Sequence, residues 1–146
     1  MGILNGIFGS PLPADPLERA MLAHAGGQGS AEWLTRELRG AHLVVLLEGD
    51  SPEVVEGAPM RPLTVSTPIG YAVVCAFTSA ERAQEMRAAY PTWRTEVAGD
   101  YTWVIATLPA GHGIVINPGH AAFLFQAPED VDRLRGELGE EWSAVA

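Results

Sequence analysis

Apolar positions along the chain recur at two spacings, one helical and one extended, and the breaks between them are marked by Gly and Pro. Asp15, Pro16 and Glu18 form a helix-start signature: an N-cap carboxylate, a proline at the first helical position and an acidic residue in the capping-box place. Leu17, Ala20, Met21 and His24 then share one face, and the run Gly26-Gly27-Gln28-Gly29 ends the helix. Ser30 caps a second helix through Trp33, Leu34 and Leu38, which Gly40 closes. The chain is thus predicted to open with an αα-hairpin.

Residues 42–47 form a β-rich apolar run, and the acidic stretch 48–62, with its Pro and Gly, reads as a long exposed loop. Residues 63–66 and 71–77 flank Thr67, Pro68, Ile69 and Gly70 and predict a hairpin. Thr78, with Glu81 three residues on, is expected to cap a helix that buries Ala83, Met86 and Tyr90 and stops at Pro91. Signals conflict over 100–108: Thr102, Val104, Ile105 and Thr107 favour a strand, whereas Asp100 as N-cap and the spacing of Val104 and Leu108 favour a short helix, the assignment adopted here. Segments 113–117 and 122–126 predict two strands joined through Pro118, Gly119 and His120. In that turn Pro presets φ at the second position and Gly accepts a positive φ at the third. Pro128 opens a last helix through Val131, Leu134 and Leu138, with Glu129 and Arg133 as an i,i+4 pair.

Short strand meanders joined by single helices predict an α+β fold, with helices packed on a mixed, mainly antiparallel sheet. The expected organisation is an apolar arm over residues 1–14, one domain over 15–138 and a tail over 139–146. The arm carries Ile3, Leu4, Ile7 and Phe8 among glycines that disfavour a helix, which points to packing within or between chains.

Composition narrows the function classes. With 47% hydrophobic and 18% charged residues, the chain reads as a folded protein. A net charge of −9 disfavours nucleic acid as a partner, because phosphates are held by basic clusters. All nine basic residues are Arg, so lysine-based chemistry is excluded and GC-rich coding is implied. One cysteine, Cys75, excludes a disulfide within the chain, and its apolar strand reads as core. No run approaches the roughly 20 apolar residues of a membrane span, and residues 1–8 lack the basic flank of a secretion signal. Neither a membrane nor export is expected, and the cytoplasm is the expected compartment.

Candidate chemistry is sparse. His24, His42, His112 and His120 never fall at the i,i+3 or i,i+4 spacing that presents two ligands to one metal, although His112 and His120 flank one predicted hairpin. Gly27-Gln28-Gly29-Ser30 follows a helix, whereas phosphate-cradling loops follow a strand. Glu48, Asp50, Glu53 and Glu56 lack the spacing of a calcium loop and read as a solvated segment long enough to touch a partner. No catalytic residue, metal ligand or cofactor is therefore assigned. The residues singled out for partner binding are Trp93, Tyr101 and Trp103, because exposed aromatics anchor interfaces.

Taken in order, Leu17-Glu18-Arg19-Ala20, the Leu43-Val44-Val45-Leu46 strand, Phe77-Thr78-Ser79 before a helix, and Gly113-Ile114-Val115-Ile116-Asn117-Pro118-Gly119 before the Pro128-Glu129 helix start resemble the N-terminal domain of the bacterial SseB family. These motifs serve packing and turns. The resemblance implies an α+β fold and a non-enzymatic protein-interaction or regulatory role, with another protein or a second copy as partner. The alternative is a small-molecule binder or enzyme with a pocket lined by histidines or aromatics.

Overall fold

The computed structural model describes residues 15–48, 62–68 and 70–145. Among these described residues, five helices and six strands follow one another as α1 (Pro16–Ala25), α2 (Ala31–Arg39), β1 (His42–Leu47), β2 (Thr64–Ser66), β3 (Ala72–Phe77), α3 (Ala80–Ala89), β4 (Thr95–Asp100), α4 (Tyr101–Thr107), β5 (Gly113–Ile116), β6 (Leu124–Gln126) and α5 (Pro128–Val145). The strands form one sheet in the order β4-β1-β3-β5-β6, and β2 shares with β1 the edge of β3 opposite β5. Every pairing is antiparallel except that of β3 with β5, which is parallel. The fold is α+β with a mixed sheet, as the sequence predicts.

Strand β3 explains the architecture. Its residues from Val73 to Phe77 are all buried, the mark of a strand covered on both faces. Successive side chains alternate between those faces. Val74 and Ala76 join Leu43, Val45, Ile114, Ile116 and Leu124 under α1, α2, α4 and α5. Cys75 and Phe77 join Leu46 and Leu63 under Ala83 and Met86 of α3. Among the described residues, four helices thus cover one face, and α3 alone covers the other, over β1 and β3.

Local chemistry sets the boundaries. Asp15 accepts from the Glu18 amide and Ser30 from that of Trp33, so both predicted caps form, and α1 and α2 pack as a hairpin. The cap of α3 falls one residue later than expected. Ser79, not Thr78, accepts from the Arg82 amide, because the Thr78 hydroxyl is engaged by Glu18. Helix α4 forms after Asp100, but the Asp100 carboxylate meets His42 at 3.0 Å and makes no cap bond. Helix α5 continues through Val145, past Leu138, where the sequence pattern ends it.

The sequence pattern contains no strand over 95–100, yet β4 pairs with the whole length of β1. This edge is formed by pairing rather than by β-propensity, and its glycine has a steric role. A Cβ on Gly99 would lie 2.2 Å from Trp103 Cε3, so the indole closes over the backbone only because the side chain is missing.

Candidate functional site

A buried polar cluster lies at the carboxyl ends of the parallel pair β3 and β5. In parallel sheets that location is the usual home of a ligand crevice. Here the protein's own side chains fill it. Glu18 from α1 is 1% exposed and Arg82 from α3 is 7% exposed. The pair is bidentate: Arg82 Nη2 donates to Glu18 Oε1 at 2.8 Å and Nε to Oε2 at 3.0 Å. Thr78, on the β3–α3 junction, donates its hydroxyl to Glu18 Oε2 at 2.5 Å. The carboxylate holds the Arg82 guanidinium above its ordinary pKa through this hydrogen bond, against the opposing effect of burial.

Asn117 and His120, from the β5–β6 turn, complete the cluster. Asn117 Oδ1 accepts from the Thr78 amide at 3.0 Å, and Nδ2 lies 3.0 Å from Thr78 Oγ1, 3.2 Å from Ala122 O and 3.3 Å from Glu18 Oε2. Its backbone is left-handed at φ 56°, a conformation Asn tolerates better than most residues. The turn is as predicted: the His120 amide donates to Asn117 O at 3.1 Å, with Pro118 at the second position and Gly119 at φ 86° at the third. His120 Nε2 lies 2.9 Å from Arg82 O, which only accepts, so Nε2 carries the hydrogen and Nδ1 faces Arg82 Nη1 at 3.5 Å as the acceptor.

Among the described residues, every buried side-chain nitrogen and oxygen has a hydrogen-bond partner. The polar atoms of the cluster bond to one another and to the backbone around them. It is a clasp that joins α1, α3 and the β5–β6 turn. The capping-box reading of Glu18 is corrected accordingly: its amide serves the cap, but its carboxylate turns inward to Arg82. Spacing alone could not reveal this, since the partners lie 64 and 99 residues away.

The aromatic residues singled out in the sequence do not form one surface. Trp93 packs with the α3-side cluster and Trp103 with the opposite one. Tyr101 is buried and donates its hydroxyl to Gln126 Oε1 at 2.6 Å. His112 and His120 sit at opposite ends of β5. Among the described residues no group of three His, Cys, Asp or Glu side chains is placed to hold a metal ion. An open depression of about 390 Å³ on α2, lined by Ala31, Glu32, Thr35, Arg36 and Arg39, contains none of the four histidines. The acidic loop lies outside the described residues apart from its flanks.

A different aromatic group is exposed. Phe123 and Phe125 are 45% and 43% exposed, and the Phe125 ring stacks on Tyr71 at a centroid distance of 6.2 Å. Register places Phe125 opposite Val115 and Val115 opposite Cys75, so Phe125 lies on the α3 side of the sheet. Helix α3 packs over β1 and β3 and leaves this end of the face uncovered by a helix among the described residues. The two sheet edges differ. Edge β4 carries Glu96, paired with Arg87 at 2.7 Å, and Asp100, whereas Leu124-Phe125-Gln126 of β6 carries no charge. Charged residues are the common guard of an edge strand, and β6 lacks them.

Cys75 is fully buried, and burial pushes its thiol from 9.0 up to about 12. Burial likewise pushes the Tyr101 phenol from 10.0 up to about 12, against its hydrogen bond to Gln126. The folded protein keeps protons that the unfolded chain sheds, so the stability these two groups contribute is full below about pH 9 and falls as pH rises toward 12. Urea unfolding at pH 10.5 should give a free energy lower than at pH 8 by about 2–3 kcal/mol. A Cys75→Ala chain should show a shallower decline, and equal stability at both pH values would contradict the burial of these groups.

No helix among the described residues is long and apolar enough to cross a membrane. The family model of the SseB protein N-terminal domain matches residues 17–131. No curated protein and no solved structure matches the chain.

Proposed function

The chain belongs to the family of the SseB protein N-terminal domain, and from that premise we propose that it is a non-enzymatic protein-interaction module whose contact surface is the aromatic edge on β6. One contrast carries this reading: Glu18, Arg82, Asn117 and His120 are consumed in a closed clasp, while Phe123 and Phe125 face solvent beside an uncharged edge strand. An exposed edge accepts an extended segment of another protein through main-chain hydrogen bonds, and neighbouring apolar side chains select it. Phe125, Phe123 and Tyr71 supply those side chains here. The partner is a protein with an uncharged extended segment rather than a nucleic acid, which a chain of net charge −9 would repel. A lone buried cysteine supports the bacterial cytoplasm as the compartment.

A photo-reactive phenylalanine analogue at position 123, introduced in the source cells, tests the proposal. The expected result is an adduct with another polypeptide that disappears when Phe125→Asp is added. Recovery of the chain without an adduct, or an adduct indifferent to Phe125→Asp, would sink the reading.

A further inference from the structure

We infer that a second copy of this chain docks on the β6 edge, with the two β6 strands antiparallel about a two-fold axis at Phe125, so that two sheets become one. This rests on the reading of that edge as a contact surface and names its occupant. The uncharged extended segment that the edge selects is supplied by β6 itself: Leu124-Phe125-Gln126 is a strand, and residues 121–128 carry no charge. Among the described residues β5 is the one strand paired with β6, so alternate main-chain groups of β6 point away from it.

Charge selects both the edge and the orientation. Each copy carries a net charge of −9, so two copies repel least where their facing surfaces lack carboxylates. Paired β4 edges would set Glu96 and Asp100 of one copy against those of the other, whereas paired β6 edges oppose no charged residue. Beyond β6, Glu129 and Asp130 lie in the first turn of α5, and the turn before β6, residues 117–122, holds no carboxylate. Antiparallel strands bring the α5 start of one copy to that turn of the other. Parallel strands would set the acidic groups of both copies side by side. The β4 edges at the outer ends of the joined sheet keep their charges, so assembly closes at two copies.

Register follows from the backbone. Opposed residues of an antiparallel ladder turn their main-chain groups the same way, both toward the facing strand or both away from it. That excludes the offsets that set Phe125 against Leu124 or Gln126, and an axis at Phe125 engages all three residues of β6. Leu124 then meets the second copy's Gln126, and Phe125 meets its own counterpart. Opposed residues share a face, so the α3 sides of the two sheets become continuous. Phe125 stacks on Tyr71 within its own copy, and the junction becomes a row of rings, Tyr71 and Phe125 from each side. Phe123 and Phe125, both open to water in the single chain, are covered there.

Light-scattering mass of the full chain should rise with concentration from 15.5 kDa to twice that value. A chain that keeps the single mass at about 100 μM overturns the inference. Because position 125 faces itself, Phe125→Asp and Phe125→Arg chains should each dimerise at least about a hundredfold more weakly, and an equimolar mixture of the two should recover the double mass. Unweakened dimers of either variant, or a mixture of folded variants no better than its components, overturn it. Amide exchange on the wild-type chain reads the same contact without a substitution. The amides of Leu124, Phe125 and Gln126 should slow as the dimer forms while those of β4 do not, and exchange at β6 that is independent of concentration overturns the inference. The photo-adduct at position 123 separates this inference from the function beneath it. A dimer that needs Phe125, with no adduct in the cells, leaves the inference standing and removes the proposed function. An adduct with a different polypeptide, from a chain that is monomeric in solution, does the reverse.

Discussion

Replacing Glu18 by alanine should lower the unfolding free energy by about 3–5 kcal/mol, the cost of leaving a buried guanidinium without its counter-charge. Both partners are almost wholly out of water, so screening does little to soften the loss. The pair need not be a net source of stability, because removing two ions from water costs about as much as their attraction returns. What it imposes is a penalty on any arrangement in which α1 and α3 fail to meet. Denaturant unfolding of Glu18→Ala, Arg82→Ala and the double variant measures this. The double variant should lose less than the sum of the singles, since removing both ions leaves neither charge stranded. Simple additivity would show that the two side chains do not act on one another. Glu18→Gln should fall between wild type and Glu18→Ala, because an amide oxygen still accepts from Thr78 but brings no charge to Arg82.

Asn117→Ala should cost a comparable amount, about 3–5 kcal/mol, for a different reason. The substitution removes the acceptor of the Thr78 amide and the donor to Ala122 O, and each buried group left unpaired costs about 1–3 kcal/mol. It also places alanine at φ 56°, where an L side chain crowds the backbone by about 1–2 kcal/mol. Asn117→Gly relieves the second cost and keeps the first. Unfolding measurements should therefore find the glycine variant more stable than the alanine variant by about 1 kcal/mol. Equal stabilities would mean that the left-handed backbone is not retained.

The contrast between these two residues shows where sequence reading succeeds and where it stops. Asn117-Pro118-Gly119 is legible as a turn because its requirements are local: a fixed φ, a positive φ and a bond three residues on. The helix starts at Asp15 and Ser30 are legible for the same reason. Glu18 looks like a capping-box acid from its neighbours, and only the approach of Arg82 reveals its role. Thr78 misleads in the same way, since its hydroxyl serves a helix 60 residues earlier and leaves the cap to Ser79.

The aromatic surface is subject to the same limit. Trp93, Tyr101 and Trp103 are close in sequence, but the sheet passes between the two tryptophans. Phe123 and Phe125 alternate with the buried Leu124 as in any half-covered strand, and nothing local distinguishes a face that α3 reaches from one that it misses. Strand β4 stayed hidden because its order comes from β1 and not from its own residues.

The contact from Glu18 to Asn117 spans 99 residues, so the first helix cannot finish its own environment. While the chain is being synthesised, α1 and the early strands emerge well before the turn that completes the clasp, and the Glu18 carboxylate stays hydrated in the meantime. Native packing of the beginning of the domain thus waits for its far end. A ribosome-stalled fragment ending before residue 117 should leave α1 accessible to protease, with the last hairpin acting as the latch that commits the whole domain at once.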